Sequence, residues 1–419
     1  MSIPGPALLL SLVALAAGAA SGAPRLTYSS LEAEAAAEYQ PGWNRFGPGF
    51  VKLIGKAEVA LTDELALKAA VSPCAGPYST EPEGVTQCAP YRVLEELTIS
   101  GVGKGFDFSV GRQIVTQGNT EGFVLLDRFN GRDLCRFARL DVQNKLPNWI
   151  ARGRAFAGAA TLSVTLAPYS AESEIPDPAS YCADTFNNPG QFDYLSDPRN
   201  ANTAGWAGGV ELAVTHDWWG ATLDVMSTRE DLFVLQTVPG LQKTLPRTLW
   251  LGGTASATLG GIVVRGEVAY APNRTFTIAP AATAGLLMRG IGTDGTDERW
   301  NLLTVVGIEA QHGDWYGVLQ YFDNRVEAGP ALALGGESQM MSLRIRRSFA
   351  NDRIAFDAFA ILDLDYHDAA LRASLSYEIA ANTRIEVGGT TYADIGHTTG
   401  FFGSYVGRDS LYAKVIRAF

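Results

Sequence analysis

Apolar and polar residues alternate one for one along most of this chain, in runs of roughly ten residues. Leu31, Ala33, Ala35, Ala37 and Tyr39 share one face of such a run, with Glu32, Glu34 and Glu38 on the other. Val51, Leu53, Ala57 and Val59 oppose Lys52, Lys56 and Glu58. Met341, Leu343, Ile345 and Phe349 oppose Ser342, Arg344, Arg346 and Ser348. Leu371, Ala373, Leu375, Tyr377 and Ile379 oppose Arg372, Ser374, Ser376 and Glu378, and Arg384 and Glu386 alternate with Ile385 and Val387. A repeat of two is the signature of an extended strand. The polar face holds guanidinium and carboxylate groups on strand after strand, which a dry core would bury at high cost. Water on that face and lipid on the other removes the cost, and that is the arrangement of a transmembrane β-barrel.

The pattern predicts about eighteen strands: residues 26–39, 50–61, 64–73, 91–102, 105–113, 148–156, 159–167, 205–215, 218–228, 245–258, 262–271, 300–311, 315–324, 339–349, 354–363, 369–379, 384–393 and 411–419. Tight turns at 62–63, 103–104, 157–158, 216–217, 259–261, 312–314, 350–353 and 380–383 alternate with long inserts. An even count returns both termini to the side of the tight turns and puts the long inserts together at the other end. The expected fold is therefore all-β: a closed, antiparallel, up-and-down barrel of about sixteen to eighteen strands, with short periplasmic turns and long external loops. Two turns share a pattern, His216-Asp-Trp-Trp-Gly and His312-Gly-Asp-Trp-Tyr-Gly, whose aromatics belong in a headgroup girdle. Phe419 ends an amphipathic strand with Leu411, Ala413 and Val415 on its face; Arg417 falls on that face too.

Composition agrees. The 419 residues include 45 glycines and only 18% charged residues, with mean hydropathy +0.03. Residues 7–20 form a short apolar run followed by small residues, which predicts a leader over residues 1–23 and export, although no Lys or Arg precedes it. Residues 24–419 then form one barrel domain in the bacterial outer membrane. Expected partners are outer-membrane lipid and lipopolysaccharide and the barrel-assembly machinery. A net charge of −11 argues against nucleic acid. Cys74, Cys88, Cys135 and Cys182 suggest two disulfides; three pairings are open, and the short loop favours Cys74–Cys88 with Cys135–Cys182. No spacing suggests a metal or cofactor site, and a solvated turn explains Asp363, Asp365 and Asp368 better than calcium. His216, His312, His367 and His397 lie in turns and loops, and none falls near a serine and an acid in a recognisable catalytic order, so no enzyme is expected.

The most distinctive stretch is 110–167. It carries Gly111-Arg112-Gln113, then Leu126-Asp127-Arg128-Phe129-Asn130-Gly131-Arg132-Asp133, then Arg136, Arg139, Arg152 and Arg154. Here the chain resembles the alginate-export-like group of outer-membrane barrels. In that group a strand ending in Gly-Arg-Gln leads into a loop with an Asp…Asn-Pro-Arg-Asp motif; Gly131 stands where proline is common. The resemblance implies a conduit for small or polymeric solutes, polysaccharide included, whose loop near 114–147 folds inward, and a monomer. Guanidinium groups stay charged and take carboxylates in bidentate fashion, so an arginine row would favour anions. The expected pore-lining or constriction residues are Arg112, Asp127, Arg128, Asn130, Arg132, Asp133, Arg152, Arg154, Arg344 and Arg346. The same arginines would pin the loop by pairing with Asp127, Asp133 and Asp141. Alternative functions are a plugged structural or adhesive barrel, a barrel enzyme, and a transporter of hydrophobic compounds.

Overall fold

The computed structural model describes residues 24–46, 49–75, 93–141, 144–168, 172–174, 205–333, 336–396 and 400–419. Its long strands are β1 (Arg25–Gln40), β2 (Phe50–Ala60), β3 (Leu65–Val71), β4 (Leu94–Gly103), β5 (Phe106–Gln113), β6 (Asn148–Ala157), β7 (Ala160–Ala167), β8 (Ala207–Thr215) and β9 (Trp219–Arg229). They continue as β10 (Arg247–Leu259), β11 (Ile262–Thr277), β12 (Thr296–His312), β13 (Trp315–Val326), β14 (Ser338–Phe349), β15 (Ile354–Asp363), β16 (Asp368–Ala380), β17 (Thr383–Asp394) and β18 (Ser410–Ala418). Each pairs antiparallel with the next. β18 pairs back onto β1, from Glu32 opposite Ala418 to Tyr39 opposite Leu411, and closes the barrel. The chain therefore has the eighteen strands that its alternation predicts, and closure leaves no free sheet edge.

The faces are inverted relative to a soluble barrel. Along β7, Leu162, Val164 and Leu166 are exposed while Ser163, Thr165 and Ala167 are buried. The same holds at Asn301, Gln320, Ser342 and Thr390, which are buried, beside Ile308, Leu319, Leu343 and Val387, which are exposed. Only hydrocarbon makes an outer belt of leucine and valine favourable. Among the described residues no helix is long and apolar enough to cross a membrane; the strands do it. This places the chain in the bacterial outer membrane.

Eight hairpins turn tightly at one end, several through left-handed residues such as Gly158, Gly260, Gly313 and Asn382. Trp218 and Trp315 lie exposed beside two of these turns. Phe419 is exposed, its amide donates to Leu31 O at 2.9 Å, and the Arg417 guanidinium sits 5.1 Å from its ring. The opposite end departs from the expectation twice. The β15–β16 connection is short, residues 364–367, because the Asp363 carboxylate accepts the Asp365 and Tyr366 amides and reverses the chain at once. β11 runs on to Thr277, where the sequence reading stopped before Pro272. Pro272 has no N–H for the ladder, and a register shift between Ala271 and Arg274 carries the strand past it.

The expected leader, Cys88, Cys182 and His397 lie outside the described residues. No described cysteine is a free thiol.

Candidate functional site

The interior is organised by residues 114–141, which leave β5, and 144–147, which lead into β6. Asn130, 3% exposed, closes their base. Its Oδ1 accepts Val115 N–H at 3.0 Å, and its Nδ2 donates to Gln113 O and Leu146 O at 3.2 and 2.9 Å. Asn148 adds a bond to Phe129 O at 2.9 Å. Asp133 caps the short helix α1 (Leu134–Ala138), accepting the Cys135 and Arg136 amides. Glycine at 131 has a plain cause. Residues 172–174 run alongside, and a Cβ at 131 would collide with Glu172 O. Proline carries a Cβ and would collide in the same way.

The segment fills one side of the lumen. Val115, Leu125, Leu126 and Phe129 pack on Met226, Trp250, Ala269, Ala271, Leu303 and Val305 of β9 to β12. A Cβ at Gly252 on β10 would strike Leu126, so glycine there makes the socket. Fully burying each of these large side chains contributes about 1.5–3 kcal/mol. Glu267 of β11 fastens the middle. Its Oε1 accepts Leu125 N–H and Leu126 N–H at 2.7 and 2.6 Å, and its Oε2 accepts the Thr120 hydroxyl at 2.8 Å. Farther round, Glu121 accepts Tyr316 O–H at 3.0 Å and Arg344 at 3.4 Å. Phe123 stacks on Phe322 at 5.1 Å. α1 and Leu140 end against Phe359, Ile361, Ala370 and Tyr392, and Tyr392 O–H donates to Ala138 O at 2.9 Å.

A cavity of about 1230 Å³ remains beside this segment, walled by β1, β2 and β14 to β18. Ten lysines and arginines and nine carboxylates line it. Many are paired across the wall: Lys52 with Glu95 at 2.7 Å, Arg139 with Glu38 at 2.7 Å, and Lys414 with Glu34 and Glu386 at 3.7 and 3.9 Å. Arg372 instead donates to Tyr412 O–H at 3.0 Å and Arg139 O at 3.4 Å. Lys56 and Arg384 form no ion pair with a described carboxylate.

The ten residues singled out from sequence fall into three places. Arg112 and Arg344 line the cavity. Arg112 donates to Leu94 O at 2.7 Å; Arg344 grips Asp357 at 3.1 and 2.6 Å, and Arg346 joins the same carboxylate at 3.0 Å. Asp127, Arg128, Asn130, Arg132 and Asp133 lie within the inner segment. Asp127 pairs with Lys145, and burial pushes its carboxyl up while Lys145 works against the rise. Arg128 donates to Leu125 O and lies 4.2 Å over Trp250. Arg132 donates to Val124 O at 3.2 Å. Arg152 pairs with Glu211 at 3.4 Å, and Arg154 binds Asp107 in bidentate fashion at 2.9 and 2.5 Å, both outside the cavity lining.

The sequence reading passed over Arg139, Arg372, Arg384, Tyr412 and Lys414 as lining residues. Alternation put Arg372 and Arg384 on the polar face, but the conspicuous motif drew the choice elsewhere. Among the described residues no cluster of His, Cys, Asp and Glu is arranged to hold a metal.

No protein-family description matches the sequence, and no curated protein does. Solved structures match in fold. Pseudomonas aeruginosa OccK8 (OprE) superposes with a TM-score of 0.54 at 9% identity, over 94% of this chain and 98% of that one. OccK2 (OpdF) of the same organism, solved in complex with glucuronate, gives 0.52 at 11% over 94% and 98%. Acinetobacter baumannii OccAB3 gives 0.51 at 10% over 93% and 98%. The fold is that of outer-membrane porin-type barrels.

Proposed function

We propose that the chain is a porin-like outer-membrane channel that passes small or polymeric anionic solutes past its inner segment. The observation that carries this reading is the cavity of about 1230 Å³ left open beside residues 114–147, with cationic side chains on its wall. Nine carboxylates share the lining, so selectivity rests on the cations that they do not neutralise. Arg384 and Lys56, with Arg372 turned toward a tyrosine and a carbonyl, hold positive potential at the surface a solute would touch. In a narrow, low-dielectric passage such charges lower the barrier for anions. Arg112 and Arg344 belong to this lining; Asp127, Arg128, Asn130, Arg132 and Asp133 act by holding the constriction. Arg152, Arg154 and Arg346 brace the wall through their carboxylate partners.

The proposal extends to the likeness with alginate-export-like barrels, to a monomer inserted by the assembly machinery among phospholipid and lipopolysaccharide, and to export by a cleaved leader over residues 1–23. It includes disulfides Cys74–Cys88 and Cys135–Cys182. The test is electrical. Purified protein in planar bilayers under a salt gradient should give a reversal potential on the anion side. Arg384→Gln combined with Arg372→Gln should move it toward zero. A sealed barrel, or a reversal potential indifferent to both substitutions, would overturn the reading.

A further inference from the structure

Of the inward arginines described above, Arg139, Arg152, Arg154, Arg344 and Arg346 meet carboxylates. Three arginines on the outer surface do not. Arg347 on β14 lies with its guanidinium 4.6 Å from the Trp315 ring and 4.3 Å from the Phe349 ring. It pairs across the ladder with Trp315, on the face that carries Leu343 and Leu319 to lipid. Its Nε is buried with no hydrogen-bond partner. Arg353, in the turn after β14, sits 5.7 Å from Tyr377 and donates one N–H to Glu378 O at 3.2 Å, its other N–H groups forming no hydrogen bond with the described residues. Arg417 on β18 sits 5.1 Å from Phe419. Trp315, Tyr377 and Phe419 are 45%, 44% and 68% exposed. All three pairs lie at the tight-turn end, and none of these arginines is ion-paired with a described carboxylate. Asp314 and Asp352, in the turns themselves, and Glu378, whose amide donates to Arg353 O at 2.8 Å, are nearby acids.

We propose that this arc of ring-stacked arginines, from β13 to β18, is a binding site for the phosphodiester headgroups of anionic phospholipid in the inner leaflet. The chemistry follows from the stacking. A guanidinium laid on a ring keeps its N–H edge in the plane, free to meet two phosphate oxygens. Aromatic rings hold that edge at headgroup depth. The arc spans five strand intervals, roughly 24 Å at ~4.8 Å each, enough for more than one headgroup. Basic groups against a membrane contribute about five-fold in affinity for anionic lipid apiece. The site is independent of the lumen and of the solute.

The experiment is native mass spectrometry of the purified full-length barrel, offered phosphatidylglycerol or phosphatidylethanolamine in matched micelles. Wild type should retain phosphatidylglycerol in preference, and raised salt should erode the preference. Arg347→Gln with Arg353→Gln should cut retention about twenty-five-fold if the two act independently. Arg325→Gln, at the opposite rim and paired with Asp323 at 2.7 Å, should leave it unchanged. Equal retention of both lipids by wild type overturns the proposal without any variant having to fold. So does retention unchanged in the double variant, or lost equally on changing Arg325.

Discussion

The hold of Glu267 on the inner segment can be tested by grading what replaces it. Both loop amides, from Leu125 and Leu126, reach the same oxygen, and the Thr120 hydroxyl reaches the other. Glu267→Gln keeps an oxygen for the two amides and offers Thr120 an N–H, so every group stays satisfied and only charge assistance is lost. That should cost about 1–2 kcal/mol of docking free energy. Glu267→Ala strands the Leu125 and Leu126 amides in a site that is 3% exposed, while the Thr120 hydroxyl keeps Phe123 O at 2.6 Å. At about 1–3 kcal/mol for each stranded group, undocking should become easier by about 2–6 kcal/mol. The assay is amide hydrogen exchange at 120–126 in detergent, read against the barrel strands. Each 1.4 kcal/mol is about ten-fold in an opening equilibrium, so Gln should speed exchange about ten-fold and Ala at least about thirty-fold. Open-channel noise should rise in the same order. Exchange in Glu267→Ala as slow as in wild type would refute the account, and so would equal effects of Gln and Ala.

Three further outcomes follow from the same geometry. Gly252→Ala should unseat Leu126 and raise open-channel noise, and Leu126→Ala in the same chain should restore quiet traces only in part, since the added Cβ also lies 2.7 Å from Val268 O; a double-mutant cycle measures the shared portion. Asp127→Asn leaves Lys145, 19% exposed on the cavity wall, beside a neutral group, its remaining described partner the Thr116 hydroxyl at 3.1 Å; losing a charged hydrogen bond costs about 1.5–3 kcal/mol, so exchange at 127–141 should quicken while the barrel strands stay protected. Arg344→Ala should leave Asp357 with Arg346 alone and Glu121 with the Tyr316 hydroxyl, remove a cation from the cavity lining, and shift the reversal potential toward cations by more than Arg154→Ala, whose partner Asp107 lies outside that lining.

The barrel was legible because its cause is local. Each strand announces its faces within ten residues, as β7 does with Leu162, Val164 and Leu166 against Ser163 and Thr165. Turn residues such as Gly260 and Asn382 mark its ends. Strand number and order follow, since an up-and-down barrel joins each strand to its successor. The tertiary structure alone decided which polar side chains meet open water. Arg128 and Arg132 read as pore residues from their motif, yet Arg128 lies on Trp250 and Arg132 on a loop carbonyl. Arg384 looked like one wall residue among many, yet it borders the cavity. Alternation can say that a side chain points inward; it cannot say whether a loop from a hundred residues away covers it. That depends on a fit such as Leu126 against Gly252, between residues far apart in sequence, and shape complementarity of that kind leaves no periodic trace in the chain.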